Sequence, residues 1–138
     1  MNKGVKGLAE AVKNSSAVCA DGVSRGQTAY ACSEIMKENG GQMLIIVASE
    51  ERAREMKEYL TFFSPDREIF VFPDEERHSF HYDAMSRSGS FGRIECLMAL
   101  VSGKEGFFIA PVMAASKGMA SRERFDGSEL RLVRGADA

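Results

Sequence analysis

Residues 21–28, Asp-Gly-Val-Ser-Arg-Gly-Gln-Thr, set glycines, hydroxyls and an arginine between an apolar run and a helical pattern. Such a stretch is raw material for a phosphate-binding loop, in which backbone N–H groups at a helix N-terminus hold the phosphates, a lysine meets the β and γ charges, and a Ser or Thr ligates magnesium. Gly22, Ser24, Gly26 and Thr28 keep the glycines and the hydroxyls. Gln27, however, brings a neutral amide where a full positive charge is needed, and Asp21 puts a negative charge at the first-glycine position. Arg25 compensates only in part, because it sits within the loop. The missing charges favour a vestigial loop over a competent ATP site; chance glycines in a strand-to-helix turn are the remaining reading.

The other candidates are weaker. "FVFPDEERH" (70–78) runs from apolar residues into acids, as a magnesium-holding strand end does, but Pro73 disturbs the register by which Asp74 would reach a metal. An acidic, solvated loop is the expectation there. His78 and His81 lie among carboxylates without a helix to fix their spacing, and no cysteine joins them, so no metal site is assigned. Cys19, Cys32 and Cys96 stand in apolar surroundings, outside any nucleophile signature, and read as reduced core residues. Phe62-Phe63 and Phe107-Phe108 lack interleaved lysines and read as core aromatics, not as base-stacking platforms. No catalytic residue is assigned.

The elements that must position these residues alternate. Val5, Leu8, Ala9 and Val12 share a helix face; "AVCA" (17–20) is an expected short strand; a helix follows from Thr28 to "ENGG" (38–41). "QMLIIVA" (42–48) is apolar almost throughout, as a strand covered on both faces should be. Ser49 caps a helix whose inner face carries Ala53, Met56, Leu60 and Phe63. "EIFVF" (68–72) is a third strand, 74–90 has no period, and Ile94, Leu97, Met98 and Val101 mark a helix over roughly 90–102. "FFIA" (107–110) is a fourth strand, after which Pro111 starts a short helix through Lys117. This order implies an α/β parallel sheet with right-handed crossovers. Glu129–Val133 alternates in polarity like a strand with nothing to pair with, so the expected division is an α/β domain over 1–120 and the opening of a truncated second domain over 121–138.

With 138 residues, 44% apolar, the chain has room for one core, and its net charge of −2 gives no overall positive field toward DNA or an anionic membrane. No signal peptide or membrane span is apparent, and a cytoplasmic location is the expectation.

The order of the pieces resembles the N-terminal UvrB-like module of the bacterial transcription-repair coupling factors, the Mfd family. The resemblance covers about residues 15–138 and rests on the vestigial loop, Phe72-Pro73, Tyr82-Asp83, Arg93 with Leu97 and Leu100, and Ala110-Pro111-Val112 with Ala114. UvrB is the more distant likeness: its loop keeps the lysine, and residues 73–90 are too short and too poor in tyrosine for its DNA-wedging hairpin. The resemblance implies a degenerate P-loop unit of RecA and UvrB type, serving as a non-catalytic scaffold. It also implies a longer parent, an ATP-dependent DNA translocase that displaces stalled RNA polymerase and recruits excision repair through UvrA. ATP and magnesium would then belong to the parent's motor domains, and UvrA to the domain that follows. The alternatives are a small P-loop nucleotide-binding protein using Gln27, Thr28 and Asp74, and a free-standing adaptor of flavodoxin-like shape.

Overall fold

A computed structural model describes residues 3–74 and 87–117. Strands β1 (Gln42–Val47), β2 (Ile69–Val71) and β3 (Gly106–Pro111) form a parallel sheet in the order β1-β3-β2. Around it lie α1 (Lys3–Asn14), α2 (Arg25–Asn39), α3 (Glu50–Phe63), α4 (Arg87–Val101) and α5 (Val112–Ser116). The expected α/β class with a parallel sheet is what the chain adopts.

β3 is the centre because it is apolar on both sides. Phe107 and Ile109 pack with Ala29 and Met36 of α2 and with Ala53 and Leu60 of α3, whereas Phe108 and Ala110 face Cys96 and Ala99 of α4 and Ala114 of α5. All six residues of β3 are buried, and each fully covered phenylalanine contributes roughly 1.5–3 kcal/mol of burial. Phe70 of β2 stacks on Phe108 at 4.9 Å between centroids, worth about 0.5–1.5 kcal/mol beyond area.

The helix ends carry their own chemistry. Ser49 Oγ accepts from Arg52 N at 3.3 Å at the start of α3, with Glu50 and Glu51 beside the positive end of the dipole. At the other end, Ser33 of α2 and Ser64 share a buried hydroxyl hydrogen bond of 2.6 Å, which joins the two helices without leaving a polar group unpaired. The Gln42 amide donates to the carbonyls of Leu100 and Lys104 at 3.0 and 3.2 Å, so the first residue of β1 satisfies orphan acceptors at and beyond the C-terminus of α4.

Several expectations need correction. Residues 17–20 form no strand: the segment from Ser15 to Ser24 is exposed and lies outside the sheet. A stretch of four residues, three of them Ala or Cys, offers little side chain to fix it on a pleated surface. Cys19 is accordingly exposed and not a core residue. β1 is covered on one face only, with Leu44 and Ile46 exposed by 56% and 57%. The helix expected over 90–102 begins at Arg87, and its buried face runs through Cys96 and Ala99 and leaves Ile94 exposed; apolar residues are spread around α4 over 91–101, so periodicity did not single out the packed face. Phe62 is 78% exposed, touching Phe63 edge-on, while Phe63 packs inward. The positions Tyr82, Asp83, His78 and His81, and the strand expected at 129–133, lie outside the described residues, as does the division at 120/121.

Candidate functional site: a capped loop and a strand-end junction

Parallel α/β sheets offer their ligand sites at the carboxyl ends of the strands, where the loop of residues 21–28 also lies. Ser24 stands in the extended region at φ −74° and ψ 165° and is the N-cap of α2. Its hydroxyl accepts from the backbone N–H of Gln27 at 3.4 Å, and its own N–H donates to Gln27 Oε1 at 2.8 Å. This reciprocal pair is a capping box, with glutamine in the third helical position. Thr28 donates from both N and Oγ1 to the Ser24 carbonyl, at 2.9 and 3.0 Å. One residue further back, Gly22 takes a left-handed φ of 71° and donates its N–H to Asp21 Oδ1 at 2.8 Å. The backbone N–H groups of Gly22, Ser24, Gln27 and Thr28 therefore have partners inside the loop.

Arg25 is engaged as well. Its Nη1 meets both oxygens of Glu55 at 3.0 and 3.1 Å, and Arg52 reaches Glu55 Oε2 at 3.0 Å. These groups line an open depression of about 260 Å³ with Thr28, Val47, Met56 and Tyr59. Its walls are mainly apolar, and its two cations share one carboxylate. Gly26 sits against the Tyr59 ring, where an added Cβ would meet Cε1 at 3.7 Å, an ordinary contact. The glycine at this position is therefore not demanded by the packing.

A second constellation forms where β2 and β3 end. Phe72 is buried and donates its N–H to the Ile109 carbonyl at 2.9 Å; Pro73 then lies against Gly92 of α4. The next residue, Asp74, accepts from Lys117 Nζ through Oδ1, while its backbone N–H donates to Glu50 Oε1 at 3.1 Å. Arg93 reaches the Lys117 carbonyl at 3.5 Å, and Pro111 is buried as the N-cap position of α5, paired in register with Val47. Asp74 is thus only partly exposed and ion-paired, not the solvated acid expected from its loop.

The geometry gathers Phe72, Pro73, Arg93 and Pro111 at one end of the sheet, together with Glu50, Asp74 and Lys117. Sequence spacing singled out neither Glu50 nor Lys117 as a partner; the only signal was the position of each at a strand or helix end. Gly22, Ser24, Gly26, Gln27 and Thr28 form the turn and capped first turn of α2.

Burial raises the thiol of Cys32, and burial with the neighbouring Glu95 charge raises that of Cys96 to about 11. Both are poor nucleophiles near neutral pH. Among the described residues no cluster of three or more His, Cys, Asp or Glu is placed to hold a metal ion, and no helix is long and apolar enough to cross a membrane. No protein-family model, curated protein or solved structure matches the chain.

Proposed function

We propose that this chain is a non-catalytic α/β scaffold module whose loop over residues 21–28 serves as a helix cap and not as a nucleotide site. The observation that carries the reading is the Ser24–Gln27 capping box, with Ser24 N donating to Gln27 Oε1 at 2.8 Å. A triphosphate would need those N–H groups free and a cation in place of Gln27. The donor set present does not fit it: Gln27 is spent on Ser24, Arg25 on Glu55, and Thr28 Oγ1 on a backbone carbonyl. Asp74 held by Lys117 is equally removed from magnesium ligation.

The wider reading follows the motif order: the chain is the N-terminal UvrB-like part of a transcription-repair coupling factor, acting in the cytoplasm. Translocation on DNA, ATP turnover and contact with RNA polymerase belong to other domains of that parent, and UvrA to the domain that follows. The convergence of Phe72, Pro73, Arg93 and Pro111 on one junction supports treating these positions as a structural unit. Titrating UvrA against this chain, and against a longer one that includes the complete following domain, tests the reading. Binding by the longer chain alone is expected, and equal binding by both would place the contact on this α/β unit. Failure of both to bind would remove the repair assignment and leave the scaffold reading to the nucleotide test.

A further inference from the structure

The depression beside Val47 is lined by two helix stripes whose starts are fixed by their caps. Arg52, Glu55, Met56 and Tyr59 fall at i, i+3, i+4 and i+7 and share one face of α3, which begins behind Ser49. Arg25 and Thr28, at i and i+3, join them from the first turn of α2, which begins behind the Ser24–Gln27 box. Val47, the last residue of β1, completes the apolar part of the lining.

Two guanidinium groups meet one carboxylate here. Arg25 and Arg52 each spend only Nη1 on Glu55, and the Nε and Nη2 donors of both have no partner among the described residues. The edge formed by Nε and Nη2 matches the two oxygens of a carboxylate. Because Glu55 is the only acid in the lining, one positive charge is left in excess. A single negative charge would balance it, whereas the charge of a triphosphate would not, so the same residues that fail a nucleotide suit a monoanion.

The remaining lining sets the rest of the ligand. Val47, Met56 and Tyr59 offer hydrocarbon and an aromatic ring, and Tyr59 is 36% exposed. The volume of about 260 Å³ lies just below the range of drug-sized ligand pockets, roughly 300–1,000 Å³, and leaves room for one ring or one branched alkyl group.

We propose that this depression binds a small apolar monocarboxylate, its carboxylate held by the unused guanidinium edges of Arg25 and Arg52 and its hydrocarbon body laid against Val47, Met56 and Tyr59. Glu55 orients the two arginines and limits the charge that the site accepts. The capped loop then has a task besides ending α2, since it fixes the turn from which Arg25 reaches the site. The inference goes beyond the scaffold reading and depends neither on it nor on the repair assignment.

Titrating 3-phenylpropionate into the full 138-residue chain at constant ionic strength, followed by backbone amide shifts, tests it. Shifts should centre on Arg25, Thr28, Val47 and Tyr59 and saturate with a Kd on the order of 1 mM, as expected for a ligand of this size. The neutral amide, 3-phenylpropionamide, and acetate, which lacks the ring, should each bind about tenfold more weakly. Arg25→Gln and Arg52→Gln should each weaken binding, and the unchanged amide pattern elsewhere shows that either variant is folded. Glu55→Gln, which removes the competing carboxylate, should tighten binding roughly two- to fivefold, a sign that a merely apolar depression would not produce. Equal binding of the acid and the amide would overturn the proposal, as would shifts that have not begun to saturate by roughly 20 mM, well above the expected Kd.

Discussion

Gln27 shows how one side chain can be read as a damaged catalytic group or as an intact structural one. In the capping box its carboxamide oxygen takes the N–H of Ser24, while its own N–H goes to the Ser24 hydroxyl. Lysine at this position cannot accept that hydrogen bond, so Gln27→Lys should weaken the cap without creating a phosphate site. Ser24→Ala should cost about 1 kcal/mol, read from the midpoint shift in urea at unchanged slope. The cysteines give a second check. Cys19 is exposed and should alkylate first at pH 8, with Cys32 slower and Cys96, pushed up to about 11 by burial, slowest. Because the folded state holds the Cys96 proton to higher pH than the unfolded chain, the contribution of this thiol to stability is complete below about pH 9 and is lost toward pH 11. Cys96→Ala should flatten that part of the stability–pH profile, as measured by denaturation at a series of pH values.

Among the elements, β3 sets the demands on its neighbours. Gly106 has φ 154°, and a Cβ there would stand 2.6 Å from the Glu68 carbonyl oxygen, backbone that cannot swing aside. The same carbonyl accepts the Phe107 N–H at 2.9 Å, so relieving the clash breaks the ladder that starts β2 against β3. Gly106→Ala should cost on the order of 1–3 kcal/mol or more, and a thermal midpoint within a degree or two of wild type would contradict this close approach. Leu60→Ala, on the buried face of α3 in its last turn, should cost about 2–5 kcal/mol, whereas Leu44→Ala on the exposed face of β1 should stay within about 0.5 kcal/mol. The difference also marks what could be read beforehand. The inner face of α3 was legible because Ala53, Met56, Leu60 and Phe63 repeat with a helix's period among polar residues. Leu44 was misplaced as doubly covered because an uninterrupted apolar run describes the strand's composition and not its neighbours. α4 was legible as a helix but not in its orientation, since Phe91 and Ile94 are as apolar as the residues it buries.

At the scale of the molecule, strand–helix alternation conveyed the parallel sheet, because each apolar run and each turn signal is local in sequence. The strand-end junction was not legible in the same way. Glu50, Asp74, Arg93 and Lys117 come from four separate stretches and meet only after the crossovers have brought the strand ends together. The loop lay between these cases: its residues were identified, yet their chemistry depended on whether Ser24 and Gln27 turned toward a ligand or toward each other. Isothermal titration of the purified chain with Mg-ATP decides that question most directly, with the wild type and the Thr28→Ala and Gln27→Lys variants measured side by side. A self-capped loop predicts no binding heat into the millimolar range for any of the three. Micromolar binding by the wild type that disappears in Thr28→Ala would contradict it and make the loop a working nucleotide site.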